Sequence, residues 1–296
     1  MSAFTAVDLS KLPVPDLVEQ VNFEQAYADQ VAMFMLVMPE YGPLLESDPV
    51  AKLLQANAYR EMLLRESFNV RATASMLPYA RGADLDNLGA FFGIARQVLS
   101  PGDPAANLPA EFESDTDFRR RIQLAPEGYS VAGPEGAYLF HALSADADVL
   151  DVSALSPRPG EVVVTLLARS GDGVPSAALV DRVLLALRDG GVRPLTDFVT
   201  VQPADVIRYR VDASIVTFAG PDSDVVMAEA ERRIREYVAA SQRLGRDVPR
   251  SGIFAALHVE GVQRVELREP ATDISIGSQQ AAYCSQINLI HGGSDE

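Results

Sequence analysis

The first third of the chain has the pattern of apolar and polar residues that is typical of amphipathic helices. Asn22 can cap a helix from Phe23 to Met38, and the proline at position 39 would end it. A second helix is predicted to start at Asp48 and Pro49, because an acceptor side chain followed by proline suits a first helical turn. No glycine or proline interrupts it before Pro78, so it would reach roughly 40 Å.

Apolar residues recur along this second helix at spacings compatible with 3.6 residues per turn. A long helix with such a stripe needs a partner surface that buries it. We therefore expect the stripe to make contacts in a helical bundle. The predicted interface residues are Val50, Leu53, Leu54, Ala58, Met62, Phe68 and Met76.

Shorter elements are predicted after the long helix. A third helix should begin after Asp84, whose carboxylate would cap it, and close at Gly93. Residues Ser100 to Pro109 are rich in proline, glycine and alanine and indicate a linker. After the linker, Ser114 and Asp117 have the spacing of a capping box that starts a short helix.

From about Asp148 the pattern changes to short strands. Strands from Val149 to Leu155 and from Val162 to Leu167, a helix from Ser176 to Arg188 and a strand from Asp197 to Val201 predict a ββαβ unit. A second unit has a similar order of elements. It comprises a strand from Ile207 to Phe218, helices from Ser223 to Ala240 and from Gly252 to His258, and strands from Val262 to Leu267 and from Cys284 to Ile290.

The predicted fold class is therefore α+β: an N-terminal helical region with a long bundle helix, followed by two small tandem α+β modules. The predicted domains are residues 1–99 for the helical region, 100–147 for a linker with short helices, 148–204 for the first module and 205–296 for the second.

Composition excludes some partners. The 25 Lys and Arg against 41 Asp and Glu give a net charge of -16, which repels phosphate backbones, so nucleic acid is not an expected partner.

Met1 to Pro15 lack the features of a signal peptide. The longest apolar run, Val31 to Met38, is far shorter than the roughly 20 residues that span a membrane. The single Cys284 cannot form an internal disulfide, and we expect a buried, inert thiol and not a nucleophile.

The sequence contains only incomplete matches to known ligand-binding motifs. The segment Gly171-Asp172-Gly173-Val174-Pro175-Ser176 lacks the Gly-Lys-Ser/Thr ending of a phosphate loop and favours a strand-to-helix turn. Asp84, Asp86 and Asn87 suggest a calcium loop, but Leu88 and Ala95 would occupy ligand positions. His141, His258 and His291 could form a zinc site with Cys284 only if the fold brought them together.

Arg119, Arg120 and Arg121 are consecutive and would point around a helix, so a solvated or ion-paired surface is favoured over a phosphate site. No nucleophile elbow of the form Gly-x-Ser-x-Gly is present. We assign no catalytic, cofactor-binding or metal-binding residue, and expect no cofactor and no enzymatic activity.

Twelve short motifs in order along the chain resemble the baseplate J-like family of contractile-tail phages and R-type bacteriocins. The resemblance extends from about Leu9 to Ile290. The motifs are Glu46-Ser47-Asp48-Pro49, Leu53-Leu54, Ala58-Tyr59-Arg60-Glu61, Gly82-Ala83-Asp84-Leu85-Asp86, Phe112-Glu113-Ser114-Asp115, Phe118-Arg119-Arg120-Arg121-Ile122, Ala132-Gly133-Pro134-Glu135-Gly136-Ala137-Tyr138, His141-Ala142, Asp151-Val152, Pro157-Arg158-Pro159-Gly160-Glu161-Val162, Gly171-Asp172-Gly173 and Arg193-Pro194-Leu195-Thr196-Asp197.

The resemblance implies a structural protein of the baseplate wedge. In such wedges, two copies of the chain join a smaller, I-like tail protein through a helical bundle. Neighbouring wedges form a sixfold ring around the central hub and spike, next to the sheath-initiating proteins, and opening of the ring releases sheath contraction. By this resemblance the helical region supplies bundle contacts, the α+β modules supply ring contacts, and the protein is found in the tail baseplate after assembly in the host cytoplasm.

Two other classes of function stay open from the residues alone. The tandem ββαβ units could hold a small ligand, or the chain could be an enzyme whose site is formed only by the fold. The native size of the protein and the genes beside its own would discriminate these classes from an assembly protein.

Overall fold

In a computed structural model, the chain is described at residues 9, 12, 15, 19–219 and 223–295. The expectation drawn from Met1 to Pro15, and the first part of the domain predicted to begin at residue 1, lie almost wholly outside these residues. The chain divides into two compact units. The helical unit comprises the described parts of Ala6–Arg96 and Ser114–Ile122, and the α+β unit comprises the rest of the described chain.

Two long helices of the helical unit begin where their caps predict. Helix α1 (Phe23–Val37) is capped by Asn22, whose side chain accepts from the N–H groups of Glu24 and Gln25. Helix α2 (Pro49–Ala74) is capped by Asp48, whose side chain accepts from the N–H of Val50. Both predictions are confirmed, and the 26 residues of α2 give it a length of about 39 Å.

Helix α3 (Gly82–Phe91) begins earlier than predicted. Its N-cap is Arg81, which makes no side-chain cap hydrogen bond, so the capping role expected of Asp84 is wrong. Instead, the N–H of Gly82 donates to both carboxylate oxygens of Asp115, at 3.4 and 3.3 Å. Helix α4 (Asp115–Leu124) follows Ser114, whose hydroxyl accepts from the N–H of Asp117 at 3.1 Å as the capping box predicts.

A small core joins α3 to α4. Its buried residues are Ala80, Leu85, Phe118 and Ile122. Phe118 is fully buried, and a Cβ at Gly89 would lie 2.5 Å from the Cζ atom of its ring. Glycine therefore sets the distance between these two helices, and this explains its place inside α3.

Two arginines of α4 donate hydrogen bonds to backbone carbonyls. Arg119 donates to the carbonyls of Leu77 and Ala80 at 2.7 and 2.6 Å, and Arg121 donates to that of Ala95 at 2.7 Å. Arg121 is only 5% exposed, so a solvated position is wrong for this side chain. The planar guanidinium offers several donors in fixed directions, which suits carbonyls at the ends of chain segments.

The α+β unit begins with a short antiparallel pair, β1 (Val98–Ser100) and β2 (Glu111–Phe112). The segment predicted as a linker, Ser100 to Pro109, connects these strands and contains a 3₁₀ turn at Pro104–Ala106. The predicted domain boundaries stay a prediction.

The first module follows helix α5 (Glu135–Ala145) and contains β3 (Val149–Leu155), β4 (Glu161–Ala168), α6 (Ala177–Leu187) and β5 (Phe198–Pro203). Its sheet has the order β3-β4-β5, in which β3 is antiparallel and β5 parallel to β4. This is the predicted ββαβ unit. Its core holds side chains of α5, the sheet and α6, among them Leu139, Val164 and Val183.

The second module contains β6 (Asp205–Phe218), α7 (Ser223–Ser241), α8 (Arg250–Leu257), β7 (Val262–Glu269) and β8 (Gln280–Asp295). Its sheet has the order β7-β6-β8, in which β7 is antiparallel and β8 parallel to β6. Buried residues of α7 and α8, such as Ile234 and Ile253, cover one face of this sheet. Strand β8 extends beyond its predicted bounds at both ends.

A continuous seam connects the two modules. Leu167 from the first module, Ala204 between β5 and β6, and Ala281 from the second module form one buried apolar cluster. Beside it, Asp151 on β3 accepts from the N–H of Leu244, which lies between α7 and α8, at 2.9 Å. The fold class is thus confirmed as α+β, with helices first and strand-containing modules after them.

Candidate assembly surface

Helices α1 and α2 pack together as a hairpin through small side chains. Ala26 on α1 and Ala51, Leu54 and Ala58 on α2 are buried. Small residues let two helix backbones approach closely, and they leave little apolar area in the seam. The amide of Gln30 donates to the carboxylate of Glu61 at 2.9 Å across the hairpin.

The chain before α1 is tied to the second half of α2. The buried side chain of Asn69 exchanges two hydrogen bonds with the backbone of Glu19, at 3.1 and 2.9 Å. Arg65 bridges the carboxylates of Glu19 and Glu61 at 3.2 and 2.7 Å. Hydrogen bonds from Gln30 and then Arg65 lower the pKa of Glu61 below its ordinary value. These polar contacts fix the hairpin but bury no large apolar side chain.

One side of α2, about 100° around the helix axis from the residues that pack on α1, carries large exposed apolar residues. Leu53, Leu64 and Phe68 are 62%, 53% and 68% exposed. Leu53 and Leu64 are separated by about three helical turns, and Leu64 and Phe68 by about one, so all three lie on one side of the helix. We call this set the Leu53 face.

Further apolar side chains are exposed on the flank of α2 and at the end of α1. Tyr59, Leu63 and Val70 are exposed on another side of α2. Met33, Leu36 and Val37 in the last turns of α1 are 62%, 78% and 69% exposed. Exposed apolar groups that cluster in this way are typical of surfaces that bind another protein.

The predicted interface residues separate into three groups. Leu53 and Phe68 are exposed, Leu54 and Ala58 are buried inside the chain, and Val50, Met62 and Met76 are half-buried. The apolar pattern alone therefore did not distinguish the residues of α2 that pack on α1 from those on its exposed side. Leu64, eleven residues after Leu53, is exposed on the same side of α2 and was not among the predicted interface residues, which stay a prediction.

At the junction of α3 and α4, charged groups connect the two helices. Arg96 donates to Asp86 and Asp115 at 2.9 and 2.8 Å and lies over the ring of Phe118 at 5.0 Å. Burial raises the pKa of Asp115, but hydrogen bonds from Arg96 and from the N–H of Gly82 outweigh it, so the net pKa is below the ordinary value.

The candidate metal residues do not converge. His141 Nε2 lies 3.1 Å from the carbonyl of Gly128, and His291 Nε2 lies 3.2 Å from the hydroxyl of Thr217. His258 ends α8. Cys284 is half-buried, and burial raises the pKa of its thiol. Among residues 19–219 and 223–295, no group of three His, Cys, Asp or Glu side chains is placed to hold a metal ion.

The glycine-rich segment forms a strand-to-helix turn, as predicted. It connects β4 to α6, and the N–H of Ala168 donates to the carbonyl of Gly173 at 2.7 Å. Asp172 accepts from the N–H of Val174 and pairs with Arg208 of the second module. Within the described residues, no helix is both long and apolar enough to cross a membrane.

Comparison with known proteins gives three family matches along the chain. The Baseplate J-like N-terminal domain matches residues 46–103, the Baseplate J-like central domain matches residues 130–203, and the Baseplate J-like protein C-terminal domain matches residues 209–290. The chain belongs to the baseplate J-like family. The resemblance stated from the sequence motifs is confirmed, and by membership this is a baseplate protein of the phage-tail type.

One relative within this group is Baseplate protein J of Escherichia phage P2, which is 44% identical over 98% of this chain and 99% of its own length. A solved structure, the cryo-EM structure of the anti-feeding prophage (AFP) baseplate, aligns with a TM-score of 0.40 and 15% identity. That alignment covers 61% of this chain and 44% of the other, so the chain spans less than half of its length. The N-terminal family match includes all of α2 and begins after α1.

Proposed function

We propose that this chain is a structural component of the baseplate wedge in a contractile phage tail or a phage-tail-like bacteriocin. In this proposal it forms a wedge with a second copy of itself and a smaller, I-like tail protein. Wedges then join into a sixfold ring around the hub and spike, and rearrangement of that ring triggers sheath contraction. Family membership supports the baseplate role, and the Leu53 face carries the proposal of a partner bundle.

The hairpin of α1 and α2 buries little apolar surface by itself. Burial of one side chain of the size of leucine or phenylalanine stabilises by about 1.5–3 kcal/mol. The Leu53 face exposes three such residues, and the end of α1 exposes three more. A protein helix that packs along this surface would bury these side chains, and the part of that free energy left after the entropy cost of association would stabilise the complex.

The proposed location is the tail baseplate, after assembly in the host bacterial cytoplasm. The proposed contacts outside the wedge are neighbouring wedges, the sheath-initiating protein and the hub. A ring that opens requires interfaces with two stable arrangements. The α+β unit would supply the ring contacts, because its two modules are joined by the seam and can move as one body.

Co-expression with the neighbouring tail genes tests the wedge proposal. We expect the double substitution Leu53→Asp and Phe68→Asp to abolish co-purification of the I-like protein, because burial of an unpaired carboxylate costs far more than the apolar contact gains. The helix content and thermal unfolding of the isolated variant should match those of the wild type, since both residues are exposed.

The matched control is Val225→Asp, which changes an equally exposed apolar residue, 65% exposed, on α7. It should leave co-purification intact. If the Leu53 and Phe68 variant still forms wedges, the bundle does not use this face. Leu54→Asp is unsuitable for this test, because Leu54 is 8% exposed and its loss would unfold the hairpin itself.

Two titratable groups of the first module with perturbed pKa values, Tyr138 and His141, lie in structural contacts. The hydroxyl of Tyr138 donates to Asp197 at 2.7 Å, and burial together with this contact raises the pKa of the phenol. Burial lowers the pKa of His141, whose ring contacts the Gly128 carbonyl. Each group has a partner that fixes a loop or a helix of the first module.

A further inference from the structure

A short antiparallel ribbon extends from the α+β unit into solvent. It consists of β1, β2 and the connection between them, and we call residues 98–112 the ribbon. Every residue from 103 to 112 is exposed. At the base, the side chain of Gln97 donates to the carbonyl of Leu143 on α5 at 3.1 Å, and the N–H of the buried Glu113 donates to the carbonyl of Gln97 at 2.9 Å. The ribbon is therefore anchored at its base and open to solvent beyond it.

The connection of the ribbon has a fixed shape. The N–H groups of Asp103 and Leu108 each donate to the carbonyl of the other residue, both at 2.9 Å, and the carboxylate of Asp103 accepts from the N–H of Ala105 at 2.9 Å. Gly102 has a φ of 71°, and a Cβ there would lie 2.6 Å from backbone atoms of residues 108–110. Only glycine permits so close an approach. The ribbon thus has its shape before any partner arrives, which lowers the entropy cost of binding.

One face of the ribbon is apolar. The register shift of the ribbon lies on the β1 side, so side chains alternate regularly along the return strand, and Leu108, Ala110 and Phe112 share a face. Val98 pairs with Phe112 across the ribbon and lies on the same face. Leu108, Phe112 and Val98 are 60%, 53% and 49% exposed. Exposed apolar side chains that share one face are typical of a surface that binds another protein.

The charges of the ribbon are all of one sign. Residues 97–113 contain no Lys, Arg or His and three acids, namely Asp103, Glu111 and Glu113. Glu113 is buried, whereas Asp103 and Glu111 are exposed. Within the described residues, the carboxylate of Glu111 makes no hydrogen bond or ion pair. A surface that complements the ribbon therefore has an apolar cleft with a basic side chain at its rim.

Two other occupants fit the ribbon less well. A second copy of the chain carries a net charge of -16 and would bring acids against acids. A lipid surface requires more apolar area than the ribbon exposes at its tip, and anionic headgroups would repel Asp103 and Glu111. A protein with a basic rim to its cleft meets neither difficulty.

The position of the ribbon in the chain separates it from the contacts already proposed. Its tip and return strand lie in the stretch 104–129, which none of the three family matches covers. They are thus additional to the matched domains, to which the proposed function assigns the bundle and the ring contacts.

We propose that the preformed ribbon docks into an apolar cleft of a tail protein outside the wedge, with Leu108 inside the cleft and Glu111 paired with an arginine or lysine at its rim. This inference rests on the proposed function only in taking the partner from the same tail. It assigns the contact to a surface distinct from the Leu53 face.

Photo-cross-linking in assembled tail particles tests this docking. Benzoylphenylalanine replaces Leu108 in the full-length chain, purified particles are irradiated, and the cross-linked peptide is sequenced. We expect a product with one tail protein outside the wedge, at a stretch that is apolar and includes an arginine or a lysine. The control has the same photoreactive residue at Val225, which is 65% exposed on α7, and should not give this product.

The protein found in that product is then purified, and its affinity for the full-length chain is measured by calorimetry. Leu108→Asp should weaken binding about tenfold or more, because it would bury an unpaired carboxylate in the cleft. Glu111→Arg should weaken binding several-fold at low salt and less at high salt, because it opposes the basic rim. The matched control is Glu260→Arg, at an exposed position before β7, and should leave the affinity unchanged.

Gly102→Ala tests whether the shape of the ribbon must be preformed. Its Cβ would meet the backbone of the return strand, so the affinity should fall several-fold. Gly171→Ala is the matched control, because Gly171 also has a positive φ, of 64°, but a Cβ there meets no atom within 4 Å. Equal affinities of these two variants would contradict docking of a preformed element.

The remaining outcomes separate this inference from the proposed function. The docking is overturned if position 108 gives no product, a product with the I-like protein or a second copy, or a product at a surface without a basic residue. It is also overturned if the full-length chain floats with vesicles of phosphatidylcholine and phosphatidylglycerol and Leu108→Asp abolishes the flotation. Intact wedges without a product at 108 contradict the docking alone. A product at 108 in particles whose wedges still form with Leu53→Asp and Phe68→Asp contradicts the proposed bundle alone.

Discussion

The carboxylate of Asp151 accepts a hydrogen bond from the backbone N–H of Leu244 at 2.9 Å and so ties the first strand of one module to a loop of the next. Its other oxygen accepts from the N–H of Val152 at 2.9 Å. Asp151 is 4% exposed, and nearby Arg243 donates to the carbonyl of Leu150 at 2.9 Å. Both of these donors are backbone N–H groups, which any residue type can supply, and this explains why the motif at 151 and 152 showed no chemistry in the sequence.

Asp151→Ala should destabilise the α+β unit by about 1–3 kcal/mol, because a buried N–H group loses its acceptor. Urea unfolding measures this change, and amide exchange at Leu244 should accelerate. Asp181→Ala, at an exposed position on α6, is the control and should have little effect. Equal unfolding midpoints for both variants would show that the apolar cluster around Leu167, and not Asp151, holds the two modules together.

Gly89→Ala should destabilise the helical unit by about 1–3 kcal/mol, the usual cost of overpacking a core. The new Cβ would lie 2.5 Å from Cζ of Phe118, and that ring is fully buried and cannot move aside. Gly190→Ala, where a Cβ meets no atom within 4 Å, should leave stability nearly unchanged. Thermal unfolding of the two variants measures the difference, and a neutral Gly89→Ala would contradict the packing described.

Acid should weaken the junction of α3 and α4. The pKa of Asp115 in the folded chain is below its ordinary value of 3.8, so the ionised group stabilises the fold above that value and loses this effect as pH falls through the folded pKa. The side chain is 35% exposed, which keeps the effect small. Asp115→Asn should therefore reduce the urea midpoint at roughly pH 6 and differ less from wild type at roughly pH 3. A constant difference at both pH values would exclude the ionised carboxylate as the cause.

Salt should strengthen association between copies. The net charge of -16 repels a second copy, while the contacts proposed at the Leu53 face are apolar. Raising ionic strength from about 0.05 to about 0.5 M shortens the screening length and should increase the self-association constant several-fold. Sedimentation equilibrium measures this constant. Dissociation at high salt would instead indicate an interface built from ion pairs.

Local signals predicted most elements of this fold. The caps Asn22 and Asp48 and the proline at 49 lie next to the helices that they start, and the alternation in Val149 to Leu155 belongs to a strand that is largely buried. The start of α3 could not be predicted in this way. The acceptor for its first N–H group is the carboxylate of Asp115, which is distant in sequence and lies near Gly82 only because α3 and α4 pack together.

The sequence did not predict which apolar residues of α2 are exposed and which are buried. Both Leu53 and Leu54 fit an apolar helix, but their separation into an exposed and a buried residue depends on where α1 lies. The length of β8 was also underestimated, because Gly292, Gly293 and Ser294 are poor strand formers. They join the sheet through a register shift, with the hydroxyls of Thr217 and Ser294 at 3.1 Å.

The contacts between the two modules of the α+β unit also have a mechanical consequence. A single residue, Ala204, connects β5 to β6. Such a connection alone would leave the two modules free to rotate relative to each other. Contacts between the modules, made by Asp151, Arg243 and Leu167, restrict that rotation. A force applied to one module should therefore rotate both modules together, as one rigid body.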